Sequence, residues 1–370
     1  AVTSGTVEMN SAVAYYWSGK APALQYFGTV PFGMTFQGQN AWYYHGGGLE
    51  LWNEIYNDFG VIGMPCGNSG VQMTGWFKKP VKGLSDFKGL KMRIPGLGGK
   101  IYKAIGVNVK SLGGGDIFPA LERGVIDAAE WVGPLQDRRL GLHKAAKNYY
   151  STGWHEPSTT TELLISKKAF NALPKDIQSI VRHVAAAANI IAHTSAEALN
   201  GGALEDLVNN HGVKVSELPT DVIEELRKKT AEVLEAGAAA NSMTRKVHDS
   251  FMSFKKKHDK WANLSNRQFA FRTTQFIKAF PGIQRNTQAP RISITDILNR
   301  HPHNTPHQIN RIATAIQHPG EPVDRGVRIG TTNRFMQRGD LFVEQVPAPV
   351  EGAHRGAQAG LDVSEFDHIR

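Results

Sequence analysis

Apolar residues follow helical spacing in several long stretches of the chain. Between residues 49 and 59 they fall at positions 49, 51, 52, 55, 56 and 59, which is the stripe of an amphipathic helix. Longer stretches with the same spacing predict helices over residues 174–210, 219–240 and 242–261, and the first two begin at a proline. The first of these three is far longer than an ordinary globular helix.

Short apolar runs bounded by turn residues predict the strands. They lie at residues 61–65, 71–77, 90–94, 107–109, 125–131, 160–166 and 212–215. Single predicted helices over residues 98–104 and 115–123 separate some of these runs. Strands that alternate with single helices are typical of α/β units, so we expect an α/β fold with a mostly parallel sheet.

The composition changes abruptly near residue 270. Residues 1–270 contain 22 lysines and 8 arginines, whereas residues 271–370 contain 1 lysine and 11 arginines. Every tryptophan and tyrosine lies before residue 262, and 8 of the 18 prolines lie in the last hundred residues. Such a segment buries too little apolar surface to offset its ordering entropy. Residues 269–370 are therefore predicted to be mostly disordered and to make no contact with ligand.

Composition and charge exclude several classes of protein. The net charge of +9 suggests nucleic-acid binding, but the lysines are scattered, and their densest run has no interleaved aromatic residue to stack on bases. The single cysteine, Cys66, cannot form an internal disulfide, and no run of 18 apolar residues predicts a membrane-spanning helix. The glycine-rich stretches 95–100 and 112–116 fit neither a P-loop nor a dinucleotide-binding pattern. We expect no nucleic-acid partner.

A few residues carry chemistry that suits a binding cleft. Arg93 lies near the end of a predicted strand, on the face opposite its two neighbours, where its planar guanidinium can grip a carboxylate through two hydrogen bonds. The alternative for Arg93 is a surface ion pair. Glu130 and Trp131 end another strand and would give a cleft one ionic and one apolar wall. Gln72 lies in a polar turn, and its amide oxygen can coordinate a hard cation.

Several long blocks around these residues resemble a known family. The stretches PCGNSGVQMTGWF, DFKGLKMRIPGLGG, IDAAEWVGP, GLHKAAKNYY and GWHEPS are similar to the solute-binding receptors of tripartite ATP-independent periplasmic (TRAP) transporters, the DctP-type family. The stretches YYWSGKAPALQYFGTVPFGM and AWYYHGGGLELWNE resemble, more narrowly, the branch that binds 2-oxoacids. The similarity runs from residue 1 to about residue 269 and does not extend into the tail.

The resemblance implies an α/β receptor with two lobes, of the periplasmic-binding-protein type II-like (Venus flytrap) kind, with crossing strands and a long lobe-spanning helix. Lobe I is expected from residues 1–70 and 156–195, lobe II from residues 71–155 and 196–268, and an unrelated tail from residues 269–370. The family's opening strand–helix–strand unit and signal peptide are expected to be missing before Ala1, with a strand over residues 5–9. We expect a chain truncated in this way to aggregate or to fold only in part.

The resemblance also implies a ligand set. Arg93 is expected to take the substrate carboxylate. A cation, with sodium expected and calcium as the alternative, lies between the Gln72 oxygen, the Glu130 carboxylate, the Trp131 backbone carbonyl and the ligand, so that Gln72 and Trp131 also contact the substrate. Because a 2-oxoacid can chelate one hard cation through a carboxylate and a keto oxygen, the cation reverses the repulsion that Glu130 alone would exert.

Further walls of the site are matched only by sequence block. They are Asn68, Tyr16, Trp17 and Tyr43, and loop packing is the alternative for each. The implied function is a periplasmic receptor, not an enzyme, that delivers a pyruvate-like monocarboxylate to the membrane permease subunits, with a homodimer as an option in the intact family. The alternatives are a receptor for lactate, a dicarboxylate or a sugar acid, or an α/β enzyme that uses Glu130 as general base on a small carboxylate.

Overall fold

The computed structural model describes residues 1–151 and 153–270, together with the backbone of residues 327–330 and 342–345. The chain divides into two compact units, Ala1–Arg272 and Thr273–Arg370. In the second unit, Val327–Gly330 pairs antiparallel with Phe342–Gln345. Apart from these two strands and its first residues, the predicted tail lies outside the described residues.

The described strands of the first unit form two sheets. In chain order they are β1 Met9–Ala12, β2 Val61–Asn68, β3 Gly75–Phe77, β4 Lys91–Arg93, β5 Asn108–Lys110, β6 Ala128–Ala129, β7 Asn148–Ser151, β8 Thr160–Ser166 and β9 Lys214–Glu217. The smaller sheet has the order β1-β8-β2 and is antiparallel throughout. The larger sheet has the order β5-β4-β6-β3-β7-β9.

Helices connect and cover these strands. They are α1 Gln25–Gly28, α2 Phe36–His45, α3 Gly48–Asn57, α4 Gly96–Ala104, α5 Gly114–Glu122, α6 Pro134–Leu140, α7 Leu142–Ala145, α8 Lys167–Ala172, α9 Lys175–His211, α10 Thr220–Ala239 and α11 Ser242–Leu264. Single 3-10 turns cover Ala14–Trp17, Pro22–Leu24 and Leu84–Phe87. Among the described residues, no helix is both long and apolar enough to span a bilayer.

The larger sheet is mixed, and three of its five strand pairs are parallel, in line with the predicted mostly parallel sheet. The pairs β4-β5, β4-β6 and β7-β9 are parallel, but β3 runs antiparallel to both β6 and β7. Apolar periodicity does not encode strand direction, so the antiparallel pairs of β3 and of the smaller sheet were not predicted. The first strand is also shifted, since β1 begins at Met9 and not at residue 5.

Each sheet has its own core. Trp42, Trp52 and Phe27 dominate the core beside the smaller sheet, where the ring of Phe27 stacks on both indoles. Two further clusters flank the larger sheet, one around Met92 and Ile94 and the other around a set that includes Trp76, Ile117, Tyr149 and Leu207. Apolar burial on this scale is the main stabilising contribution to such a fold.

The helix α9 contacts elements of both sheets. Its Ala185 packs into a small cluster with Met64 of β2 and Ile165 of β8. Towards its C-terminal end, Leu207 packs into the Trp76 cluster of the larger sheet. One continuous helix of 37 residues therefore packs against strands of the smaller sheet and against the Trp76 cluster of the larger one. The predicted lobe boundaries at residues 70, 155 and 195 remain predictions.

Candidate functional site

Arg93 is the last residue of β4 and is almost completely buried, with 3% of its surface exposed. Its neighbours Met92 and Ile94 pack into the core, so strand alternation turns the guanidinium to the other face. There Nε donates to the Leu112 carbonyl at 3.3 Å, and Nη1 donates to the Glu130 carbonyl at 2.7 Å. Nη1 also donates to the Glu130 carboxylate oxygen Oε2 at 2.9 Å. The strand thus delivers a buried cation to the end of β6.

Glu130 directly follows β6, where the parallel register pairs Arg93 with Ala129. Its side chain is 1% exposed. Its second carboxylate oxygen, Oε1, has no hydrogen-bond partner among the described residues. Burial raises the pKa of Glu130 to about 8, and the nearby Arg93 charge opposes that rise. A carboxylate with one buried, unpaired oxygen is costly unless another group completes it.

Two residues that the sequence patterns did not single out complete an ionisable cluster. His155 Nε2 lies 3.7 Å from Glu130 Oε1, and Glu156 is the next residue in the chain. One ligand atom each from Glu130, His155 and Glu156 lie within 4.8 Å of one another, and all three residues are buried. Burial raises the pKa of Glu156 to about 7, to which the Glu130 charge adds, and burial lowers the pKa of His155 to about 4. His155 is therefore neutral near pH 7.

Gln72 lies against the same segment of chain. Its backbone N–H donates to the Glu156 carbonyl at 3.1 Å, and its amide Nε2 donates to Thr159 Oγ1 at 3.1 Å. Thr159 Oγ1 in turn donates to the Glu156 carboxylate. The approach is so close that a Cβ on Gly153 would lie 2.2 Å from the Gln72 carbonyl oxygen. The amide oxygen Oε1 of Gln72 is buried and has no hydrogen-bond partner among the described residues.

Trp131 forms one wall of the cluster. The Arg93 guanidinium carbon lies 5.3 Å from the centre of the indole, within cation–π range. The indole packs closely on the start of α5, where a Cβ on Gly114 would come within 2.7 Å of the ring. Among the described residues, the Trp131 backbone carbonyl accepts no hydrogen bond. This carbonyl is thus a further oxygen without a protein donor.

The four residues matched only by sequence block lie in different surroundings. Asn68 is buried and donates to Ser158 Oγ at 3.0 Å and to Thr160 Oγ1 at 3.1 Å. Tyr43 is fully buried, and its hydroxyl donates to the Phe27 carbonyl at 2.8 Å. The contacts of Asn68 and Tyr43 therefore lie within the protein, and their roles as ligand walls remain predictions.

Tyr16 and Trp17 lie on the 3-10 turn that follows β1. Tyr16 is 52% exposed, whereas its neighbour Tyr15 is buried. The Trp17 indole N–H donates to Glu162 Oε1 at 3.0 Å. Burial raises the pKa of Tyr15, and the charges of Glu156 and Glu130 add to the rise. Tyr15 therefore interacts electrostatically with the cluster. The ligand-wall roles of Tyr16 and Trp17 likewise remain predictions.

The donor set fits a hard cation. In the part of the chain that the structure describes, three oxygens of these residues have no protein donor, namely Gln72 Oε1, Glu130 Oε1 and the Trp131 carbonyl, and the Glu156 carboxylate clusters with Glu130. Carboxylate and carbonyl oxygens are the ligands that calcium prefers, and sodium is likewise a hard cation. The His155 nitrogens are also buried and unpartnered, but a single imidazole among oxygens does not make a soft-metal site.

Comparison with known proteins agrees with this chemistry. The profile of bacterial extracellular solute-binding protein family 7, DctP, matches residues 1–241. The monocarboxylate 2-oxoacid-binding periplasmic protein of a Nostoc species is 44% identical over 269 residues, which cover 73% of this chain and 74% of that protein. These matches confirm the predicted family.

Solved structures of similar sequence have the same fold. A TRAP periplasmic solute-binding protein from Colwellia psychrerythraea, with bound calcium and pyruvate, is 40% identical with a TM-score of 0.71. The match covers 73% of this chain and 83% of that one. A TRAP protein from Pseudoalteromonas atlantica, with bound sodium and pyruvate, is 38% identical with a TM-score of 0.71, over 73% and 82% of the two chains.

A third structure widens the range of ligands among these relatives. It is a TRAP solute-binding protein from Bordetella bronchiseptica, a mixed-occupancy dimer with calcium and picolinate in one site, and it is 34% identical. Its TM-score is 0.73, and the match covers 75% of this chain and 83% of that one. These structures confirm the predicted two-lobed α/β fold. The chain belongs to the DctP family of extracellular solute-binding proteins, the solute receptors of TRAP transporters, and not to a family of enzymes.

Proposed function

We propose that this receptor binds a small monocarboxylate 2-oxoacid, such as pyruvate, together with a sodium or calcium ion. The observation that carries the proposal is the buried Arg93–Glu130 pair, whose Glu130 Oε1 has no hydrogen-bond donor among the described residues and lies in one cluster with His155 and Glu156. Relatives at 40% and 38% identity were solved with pyruvate beside calcium or sodium, and a further relative is named for 2-oxoacid binding.

Arg93 keeps one nitrogen free for a carboxylate. Its Nε and Nη1 groups are engaged with Leu112 and Glu130, but Nη2 donates no hydrogen bond among the described residues. The contacts on Nε and Nη1 fix the guanidinium plane, so the Nη2 donors are held in place before the ligand arrives. A fixed planar donor gives charge-assisted hydrogen bonds to an incoming carboxylate at little ordering cost.

The charge balance of the cluster favours a cation with the ligand. Arg93 supplies one positive charge, while Glu130 and Glu156 supply two carboxyl groups, and the neutral His155 adds none. If both carboxyl groups are ionised, an anionic ligand would add a third negative charge against the single positive charge of Arg93. A sodium or calcium ion held by Gln72, Glu130 and Trp131 would supply the positive charge that offsets this repulsion. Glu156 is an additional candidate ligand for the ion.

We choose pyruvate as the ligand because it can chelate one ion through two oxygens. Pyruvate carries two oxygens on adjacent carbons, and picolinate, found in the Bordetella relative, places a ring nitrogen beside its carboxylate in the same way. Both can hold one ion through two atoms while the carboxylate reaches Arg93. Lactate, dicarboxylates and sugar acids are the alternative ligands. The proposed assembly is periplasmic, with delivery to the membrane permease subunits and a homodimer as an option.

Isothermal titration calorimetry of the protein with pyruvate tests this function. The protein is first treated with a chelator and exchanged into sodium-free buffer, and pyruvate is then titrated with no added ion, with sodium or with calcium. We expect tight binding only when one of the two ions is present, and the effective ion identifies the resident one. Cation-independent affinity would refute the bridging ion, and failure of pyruvate to bind with either ion would refute the proposed ligand.

Lactate and malonate serve as matched ligands in the same titration. Lactate keeps the carboxylate but replaces the keto oxygen by a hydroxyl, and malonate replaces it by a second carboxylate. Because the cluster already contains two carboxyl groups, we expect malonate to bind more weakly than pyruvate. Tighter binding of either compound would move the assignment to that class of ligand.

A further inference from the structure

Asp137 is a buried carboxylate outside the ligand set, with 1% of its surface exposed. Its oxygen Oδ1 accepts from the backbone N–H groups of Val132 at 2.9 Å and Gly133 at 3.0 Å. Its oxygen Oδ2 accepts from the Trp76 indole N–H at 2.8 Å and the Tyr149 hydroxyl at 2.9 Å. Each oxygen thus accepts from two donors, and a buried network of this kind is costly to lose.

These four donors come from three separate parts of the larger sheet. Trp76 lies on β3, Tyr149 lies on β7, and their rings stack with centres 3.9 Å apart. Val132 and Gly133 lie on the loop that follows Glu130 and Trp131. Asp137 itself lies in the first turn of α6, where its backbone N–H donates to the Gly133 carbonyl at 2.9 Å. The carboxylate therefore ties this loop to two strands and to one helix.

Backbone hydrogen bonds to other segments of the chain also hold this loop. The Glu130 N–H donates to the Arg93 carbonyl at 3.0 Å, and Met73 N–H donates to the Val132 carbonyl at 3.0 Å. Every polar backbone group from Glu130 to Val132 thus has a protein partner among the described residues, except those of Trp131. Trp131 is flanked on both sides by fixed peptide groups. The direction of its carbonyl is therefore set by its neighbours and not by a hydrogen bond of its own.

We propose that Asp137 is a positioning residue that holds the Val132–Gly133 amides and so aims the Trp131 carbonyl at the cation. The inference rests on the proposed function, because it assigns that carbonyl to the ion. Partners that orient the ligands of a metal typically change metal affinity by about 10- to 100-fold when they are removed. Asp137 would act through the backbone and not through contact with the ion or the organic acid.

Three variants separate positioning from ordinary structural support. Asp137→Ala removes all four hydrogen bonds. Asp137→Asn keeps an acceptor oxygen for Val132 and Gly133 but turns an amide N–H₂ towards the donors of Trp76 and Tyr149. Tyr149→Phe removes one donor from Oδ2 and leaves both backbone hydrogen bonds intact, so it serves as the matched control. We expect all three variants to lose stability but to differ in their effect on the loop.

The experiment measures the cation and the loop separately. Calcium and sodium affinities are measured by calorimetry with and without pyruvate, at a temperature where circular dichroism shows each variant to be folded. Hydrogen–deuterium exchange of the peptide covering residues 130–136 reports on the loop without any ion. We expect Asp137→Ala to exchange this peptide faster and to bind the cation about 10- to 100-fold more weakly. We expect Tyr149→Phe to match the wild type in both measurements while melting earlier.

Two outcomes would overturn the assignment. The first is wild-type cation affinity in Asp137→Ala. The second is a loss in Tyr149→Phe as large as that in Asp137→Ala, since this would show that global stability alone sets the affinity. If Asp137→Ala does not fold, Asp137→Asn decides, because fast exchange of the loop with unchanged cation affinity would contradict positioning. A wild-type protein that binds no cation would instead remove the proposed function itself, which the wild-type titration reveals on its own.

Discussion

Two buried carboxylates, one beside each sheet, differ in how many of their oxygens accept hydrogen bonds from the protein. Glu162 on β8 is fully buried, and its two oxygens accept from the Trp17 indole at 3.0 Å and the Tyr56 hydroxyl at 2.7 Å. Glu130, beyond β6, is just as buried, but among the described residues only its Oε2 accepts a hydrogen bond, from Arg93. Burial alone therefore does not identify the site. The difference lies in the unpaired oxygen of Glu130, which remains available to a ligand. Both oxygens of Glu162 are engaged, so its role is structural.

The largest effect should come from Glu130→Gln, because it removes the charge that we assign to the cation. We expect cation-dependent pyruvate affinity to fall by about 4 kcal/mol, which is roughly a thousandfold. Calorimetry in calcium or sodium measures the loss. Glu162→Gln is the matched control and should bind pyruvate like the wild type. Equal losses in the two variants would erase the distinction between site and scaffold.

The pH dependence of the free energy of unfolding should reveal the buried carboxylate of Glu162. Burial raises the pKa of Glu162 to about 7 from an ordinary value of 4.5, so its ionised form is disfavoured in the folded state. That cost is fully present above pH 7 and disappears as the pH falls towards 4.5, so the contribution of Glu162 to the free energy of unfolding rises on acidification. Over this window, the wild type should gain at most about 3 kcal/mol relative to Glu162→Gln.

Urea unfolding of both proteins at pH 7.5 and pH 5 checks this prediction. The other titrating groups are common to the two proteins, so the difference between their unfolding free energies isolates Glu162. Parallel pH curves would show that the Trp17 and Tyr56 donors hold the carboxylate ionised in spite of its burial.

A smaller loss is expected for Arg93→Lys. The lysine keeps the positive charge but cannot reproduce the planar guanidinium, which contacts Leu112 and Glu130 and leaves Nη2 for the ligand. We expect pyruvate affinity to fall by about 2 kcal/mol, the usual cost of imperfect hydrogen bonds to charged groups. Calorimetry with saturating cation measures it. Unchanged affinity would remove Arg93 from the carboxylate contact.

The smallest effect should come from Tyr43→Phe, beside the smaller sheet. Loss of the hydroxyl removes one bond to the Phe27 carbonyl and leaves the Gln39 amide without that acceptor, so stability should fall by about 1 kcal/mol. Pyruvate affinity should not change if Tyr43 belongs to the core and not to the ligand wall. A clear drop in affinity with a normal melting temperature would instead restore Tyr43 to the site.

Periodic patterns predicted most of the elements that support the site. The strand that carries Arg93 and the strand before Glu130 lie where apolar runs predicted them, because alternation and length leave a clear signal there. The antiparallel direction of β3 in the larger sheet was not predicted, since pairing depends on contacts between distant segments. Resemblance, and not periodicity, supplied the ion and the ligand.

The loop residues of the cluster could not be predicted from periodicity. His155 and Glu156 lie in a segment without regular structure, where no repeat marks which side chains are buried. Their place in the GWHEPS block, which resembles the family, was the one sequence feature that pointed to these two residues. Tyr15 and Tyr16 are adjacent on a 3-10 turn, and their side chains point in different directions, so that Tyr15 is buried and Tyr16 is exposed. Such directions follow from packing with distant parts of the chain.

The continuous helix α9 has a mechanical consequence. At 1.5 Å per residue it is a rod about 55 Å long, anchored on the smaller sheet through Ala185 and on the larger one through Leu207. Between the anchors, Gly201 and Gly202 lack side chains although the space around both is open. Glycines are the softest residues in a helix, so any rotation of one sheet against the other bends the rod there. If the receptor closes by such a rotation, we expect the curvature of α9 to change, and spin labels at the exposed Ile180 and Val208 on either side of the glycines would measure it.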